Sequence, residues 1–195
     1  MKSVLIAIQP YWVFLIIAKI MGWEIDQEKT VEVRKGFPKD PDWNKKAIIY
    51  CSKNKQSFNR IPKKYQPLME RFLGRVVGEF VCDRIDRGIL KKSLYVDSTN
   101  IGYDKTCIRI EELEKYLDAC GVCGEYEFYG WHITDLVVYD KPKELGEFKT
   151  PCKMIMGSCY FCDYAVHGMD GDLIGCNTSL TRPPQSWCYV EDLGV

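Results

Sequence analysis

An almost unbroken apolar run from Val4 to Trp23 is cut at Gln9-Pro10 and carries Lys19 inside it. A bilayer needs about 20 apolar residues in one helix, and the uninterrupted piece, Tyr11 to Ala18, is too short to cross one. No small-residue cleavage site follows, so the run does not read as an export signal. Proline fixes φ and lacks an N–H, so it opens a helix and does not continue one. The run therefore predicts a buried strand, Val4 to Ile8, then a buried helix from Pro10 to about Met21. Burying both at the start requires a substantial core. The 195 residues, 46% of them hydrophobic and 28% charged, supply one. The ten cysteines are then read as mostly reduced thiols of a cytoplasmic protein.

The remaining pattern is one of short strands with few helices. Thr30 to Arg34 alternates with period 2, with Val31 and Val33 on one side and Thr30, Glu32 and Arg34 on the other. Residues 47–51 (AIIYC) read as a buried strand, 53–64 as a basic loop, and 66–73 as a short helix. Residues 74–85 and 130–139 each read as one strand, and 86–105 as irregular. Residues 110–117 (IEELEKYL) have helical spacing, and 142–148 form a helical turn. Residues 149–180 are rich in cysteine, glycine and aspartate, and 187–190 close with a strand after a Pro-Pro turn. No βαβ alternation occurs. The pattern fits a mainly β (α+β) protein, a small closed or nearly closed barrel decorated by helices.

Residues 28–34 (EKTVEVR), placed after a strand–Pro–helix opening, resemble the signature of the ASCH family, whose domains belong to the PUA-like superfamily of nucleic-acid-binding barrels. Pro10, Lys29, Thr30, Glu32 and Arg34 match its pattern, and Asp26 stands where a glycine is usual. Residues 74–80, 131–133 and 185–190 look like later strands of phage-like and firmicute ASCH proteins. The resemblance implies a PUA-like barrel over residues 1–148 and 181–195, with 149–180 as a cysteine-rich insertion. Some ASCH members resemble amidohydrolases that deacylate N4-acetylcytidine with a Lys, a Thr and a Glu. In that pattern the Thr lies three residues after the Lys; here Glu32 holds that place, and Glu79, Glu111 and Glu112 are candidates for the distal carboxylate. The implied catalytic set is Lys29 as base, Thr30 as nucleophile or water-orienting group, and Glu32 or a distal carboxylate as acid. The residues themselves fit either that site or a salt-bridge network. An Arg fork such as that of Arg34 suits phosphate or a base edge.

Charge is distributed unevenly. Residues 1–92 hold 19 basic against 10 acidic side chains, a surplus of nine positive charges. Residues 93–195 hold 8 against 17, a surplus of nine negative. Trp43 to Met69 contains no Asp or Glu but has Lys45, Lys46, Lys53, Lys55, Arg60, Lys63 and Lys64, interleaved with Trp43, Tyr50, Phe58 and Tyr65. A charge run is often only a solvated face. Cations with interleaved aromatics also suit phosphates and unstacked bases. Lys53, Lys55, Arg60, Lys63 and Lys64 are therefore candidate ligand contacts, together with Arg34. Trp131 and His132 are neighbours on a strand, so one faces inward, and either is a candidate for meeting a base.

Cys152, Cys159, Cys162 and Cys176 have the spacing C-x6-C-x2-C-x13-C in a segment with little core of its own, a candidate structural zinc site. Cys120 and Cys123 form a second C-x2-C pair, and His167 is an alternative ligand. Four thiolates leave no open coordination position, so such a zinc has no catalytic role. No organic cofactor is expected. The partner class is RNA, a single-stranded or modified nucleic acid, or a nucleoside, with no membrane association. The alternatives are an enzyme, either an N4-acylcytidine amidohydrolase or a ribonuclease, and a protein adaptor that uses the acidic half.

Overall fold

Pro10 opens its helix as its chemistry requires, since the first turn has no use for the missing N–H. The strand β1 (Lys2–Ile8) runs into the helix α1 (Pro10–Ile17), whose Val13, Phe14, Leu15, Ile16 and Ile17 are all buried. The computed structural model describes residues 2–93, 98–99, 101, 103–119, 123–150, 165–171, 173–176 and 178–191. After α1 come β2 (Val31–Arg34), β3 (Trp43–Cys51), the short helices α2 (Lys55–Phe58) and α3 (Gln66–Glu70), β4 (Arg75–Val81) and β5 (Ile85–Lys92). Then follow β6 (Ser98–Thr99), α4 (Tyr103–Thr106), α5 (Ile110–Leu117), β7 (Gly124–His132) and β8 (Thr134–Lys143). A 3-10 turn (Leu145–Glu147) precedes β9 (Ala165–His167), β10 (Leu173–Cys176) and β11 (Trp187–Glu191). The fold is mainly β with a few peripheral helices. Among the described residues, no helix is long and apolar enough to cross a membrane.

Two sheets carry the architecture. The larger has the order β11-β1-β3-β4-β8, with β1 and β3 parallel and the other pairs antiparallel. The smaller has the order β2-β7-β5-β6 and is antiparallel throughout. β9 and β10 form a separate hairpin. The segments 74–85 and 130–139 each divide where the sequence shows a single strand. Chain leaves the larger sheet at Cys82–Arg84 to become β5, and returns from β7 to β8 through Ile133. Val81 pairs with Thr134 on one side of this corner and Ile85 with Trp131 on the other, so two paired strands bend together from sheet to sheet. Residues 86–92, irregular by sequence, belong to the second half of that bend. The closed ladder expected of a barrel is not formed among the described residues: hydrogen bonding gives two open sheets.

The main core lies between α1, the inner face of the larger sheet (Val4, Ile6, Ile49, Val77, Phe80) and Trp131 of the smaller one. Leu5, Ile48, Tyr50, Val76 and Val190 form a second cluster on the outer face against Phe148. Val33, Leu90 and Phe128 form a third against Leu113 of α5. Gly88 sits opposite Phe128, and a Cβ there would fall 2.4 Å from the ring. The missing side chain is what lets the ring lie flat on β5.

Candidate functional site

Lys29, Glu32 and Arg34 converge, but inside the protein. Their side chains are 0%, 7% and 8% exposed. Lys29 Nζ donates to the carbonyls of Val31 and Thr106, both at 2.7 Å, and stands 3.4 Å from Glu32 Oε2. Arg34 Nη2 lies 2.9 Å from Glu32 Oε1 and donates to the Ala7 carbonyl at 2.8 Å. Ala7 lies on β1 past the residues that pair with β11, whose last partner is Ile6. The Arg34 fork thus ties the edge strand β2 to the larger sheet across a seam where no backbone ladder runs. Lys29 ties the same strand to the end of α4.

Burial pushes the Lys29 ammonium below its ordinary pKa, and the neighbouring Glu32 carboxylate opposes that shift. An ammonium giving two hydrogen bonds to carbonyls and facing a carboxylate is a cross-link. While protonated it has no lone pair to offer a substrate. Thr30 is half-buried, and its backbone N–H and C=O are bonded to Lys105 and Ile133.

Trp131 is fully buried on the same face as Glu32, its register partner, and Nε1 donates to the Gly36 carbonyl at 3.2 Å. It belongs to an aromatic cluster with Trp43 and Trp187 and meets no solvent. His132 points the other way. Its Nε2 lies 2.8 Å from Asp86 Oδ2 and 2.9 Å from Arg84 Nη2. Of the aromatics interleaved with the basic run, Tyr50 and Tyr65 are core residues, while Trp43 and Phe58 are half-buried.

The basic segment forms the exposed counterpart to this closed triad. Lys53, Lys55, Arg60, Lys63 and Lys64 are all exposed along the α2–α3 stretch. Asn54 caps α2 by accepting from the Ser57 N–H at 2.8 Å, which fixes the turn that carries Lys53 and Lys55. The Arg60 guanidinium lies over the rings of Tyr11, 4.0 Å from its centroid, and Trp12, at 4.8 Å. Lys29 Nζ stands 5.2 Å from the same Trp12 ring, so one indole meets a cation from the surface segment and one from the buried triad. Arg60 Nη1 also pairs with Glu112 of α5 at 2.7 Å, and Lys64 with Glu24 at 3.7 Å. Tyr11 and Trp12 were not candidates by sequence, because residues at the start of an apolar helix read as core. Glu112 was a candidate as a distal carboxylate, and its place is on Arg60.

Of the candidate metal-ligating cysteines, Cys152, Cys159 and Cys162 lie outside the described residues, as does Cys120. Cys176 and Cys123 are exposed. His167 Nδ1 is 3.2 Å from the Gly171 carbonyl. Among the described residues, no group of three or more His, Cys, Asp or Glu side chains is placed to hold a metal. Cys51 and Cys82 are buried, and burial pushes both thiols up to about 12.

No protein-family profile matches the chain, and no curated protein matches it. Solved structures that are similar to it include two ASCH proteins. One is an ASCH protein from Zymomonas mobilis, with 14% identity, a TM-score of 0.42, and 97% of this chain and 87% of that chain covered. The other is a Tyr-to-Phe mutant of the ASCH protein from Zymomonas mobilis, with 14% identity, a TM-score of 0.43, and 74% and 77% covered.

Proposed function

We propose that the protein is a nucleic-acid-binding module that grips single-stranded RNA on the α2–α3 face. The observation that carries this is the Arg60 guanidinium stacked on Tyr11 and Trp12 at the centre of an acid-free segment with exposed Lys53, Lys55, Lys63 and Lys64. Cations neutralise phosphates, and a guanidinium lying on aromatic rings presents its outer face to a base. The likeness of residues 28–34 to the ASCH signature points to the same class of partner. In this account the Lys-Thr-x-Glu-x-Arg segment builds the floor beneath the binding face, and strand contacts are made above it.

A labelled single-stranded oligoribonucleotide is the direct probe. Replacing Lys53, Lys55, Lys63 and Lys64 together by Gln is expected to abolish binding at physiological salt. Equal affinity in parent and variant would overturn the proposal.

A second function, hydrolysis of an acylated nucleoside or of RNA by Lys29, Thr30 and Glu32, has one observation in its favour: burial holds the Lys29 ammonium below its ordinary pKa. Release of acetate from N4-acetylcytidine, lost in Lys29→Ala, is its test; no turnover by pure protein removes it. Independently of either function, we propose a structural zinc on Cys152, Cys159, Cys162 and Cys176. Less than about a tenth of an equivalent in protein purified without added metal rejects that zinc.

A further inference from the structure

A cleft of about 570 Å³ opens at the corner where β4 passes into β5, well inside the size range of small-molecule sites. Phe37, Trp43 and Tyr129 are its aromatic walls; Lys45, Arg84 and Arg87 are its cations, and Asp83 is its carboxylate. The cleft is separate from the α2–α3 face, and none of its lining residues belongs to the Lys29–Glu32–Arg34 triad.

Lys45 reaches the cleft by an unusual backbone. Along β1 the partner of Lys2 is Trp43 and the partner of Val4 is Ala47, so β3 carries extra residues across Asn44–Lys46. Asn44 Oδ1 fastens this bulge by accepting from the Lys46 N–H at 3.0 Å, and Asn44 Nδ2 donates to Ser3 Oγ at 3.1 Å. Within it Lys45 has φ of 62°, in the left-handed region that a lysine avoids. Its carbonyl is held by the Cys82 N–H at 2.8 Å. Bulges re-aim side chains, and a strained non-glycine residue that persists at a cleft is a pointer to function.

The charges around the cleft are unequal in their freedom. Arg84 faces Asp86 at 3.2 Å, and Arg87 donates to Glu127 at 2.8 Å. No carboxylate of the described residues pairs with Lys45. The Trp43 indole N–H is already satisfied by the Lys46 carbonyl at 3.0 Å, so the ring contributes its face and needs no polar partner. Phe37 and Tyr129 pack at 4.7 Å between centroids. Among the described residues the cleft therefore combines aromatic faces with one ammonium that is in no ion pair, beside the Asp83 carboxylate, and the ammonium with the rings suits a ligand having a flat ring and an anionic group.

We infer that this corner cleft is a mononucleotide subsite, with the base against Trp43, Phe37 and Tyr129 and the phosphate on the Lys45 ammonium. The inference rests on the proposed RNA-binding function in taking the flat anion to be a nucleotide, one splayed out of a strand. Base stacking on aromatic rings and a charge-assisted phosphate contact are the two interactions that such binding uses.

Adenosine 5′-monophosphate and uridine 5′-monophosphate, titrated calorimetrically, are the probes. Lys45→Gly puts the residue best suited to positive φ in the bulge and removes the amine, so its melting temperature is expected to hold or rise while affinity falls about tenfold or more. Trp43→Leu, checked by the same melting curve, is expected to lose affinity to a similar degree. The variant lacking Lys53, Lys55, Lys63 and Lys64 is expected to keep mononucleotide binding. Unchanged affinity in Lys45→Gly, or no mononucleotide binding by a parent that binds the oligoribonucleotide, overturns the subsite. Mononucleotide binding by a parent that ignores the oligoribonucleotide upholds the cleft and defeats the RNA-binding function instead.

Discussion

At Glu32 one carboxylate faces two cations, Lys29 and Arg34, all three almost wholly shielded from water. Buried ion pairs are weak sources of net stability, but removing one partner leaves an uncompensated charge. Glu32→Ala is therefore expected to cost about 3–5 kcal/mol in urea unfolding. Replacing all three by apolar residues of similar volume is expected to cost far less than that single change. The reverse order would show that the triad does not act as one unit. The buried thiols give a second residue-scale expectation. Cys51 and Cys82 are pushed up to about 12 and Cys188 to about 11, each by burial first. Unfolded thiols ionise near 8.5, so above that pH the unfolded state binds fewer protons and stability falls as pH rises. Each such thiol contributes a loss of about 1.4 kcal/mol per pH unit between its unfolded and folded values. Lys29, held low by burial, works in the opposite sense over its own interval and offsets part of that fall. Under reducing conditions, Cys51→Ala is expected to flatten the fall in stability between pH 9 and 11; an unchanged slope would contradict the assignment.

Among the elements, those defined by a single local signal were legible in the sequence. Pro10 marks the start of α1, and the spacing of Ile110, Leu113 and Leu117 marks α5 at its observed ends. The corner was not legible, because neither Cys82–Arg84 nor Ile133 includes the Gly or Pro that normally punctuates a strand. β5 escaped because its charged outer residues are matched on β7: Lys91 pairs with Glu125 at 2.9 Å and Arg87 with Glu127 at 2.8 Å. Cross-strand pairs stabilise a strand without leaving any period in its own sequence. The same holds for the triad. Its members were visible at close spacing, but its burial depends on Ala7 and Thr106, remote in the chain. α5 also carries an expectation of its own. Glu112 holds Arg60 with one oxygen and accepts from the Arg109 N–H with the other, at 3.3 Å. Gln keeps such a cap but removes the charge that competes with phosphate. Glu112→Gln is expected to tighten oligoribonucleotide binding by up to about fivefold, the worth of one exposed ion pair. Weaker binding would show that Glu112 assists the ligand.

For the whole molecule, zero net charge hides two halves of opposite sign. The positive half supplies the α2–α3 face, the corner cleft and the triad that joins the sheets. The acidic half supplies the counter-charges, Glu112 on Arg60, Glu125 on Lys91 and Glu127 on Arg87. Neutral overall charge is thus compatible with a directed positive field, which salt screens over about 8–10 Å. The salt dependence of RNA binding tests this most directly. Binding of a single-stranded oligoribonucleotide should weaken linearly in log–log form with salt, and each phosphate that a lysine no longer neutralises should lower the slope by about 0.7. Replacing Lys53, Lys55, Lys63 and Lys64 by Gln is expected to lower it by about 3. A slope unchanged by the four substitutions, or no binding by the parent at low salt, would contradict the account.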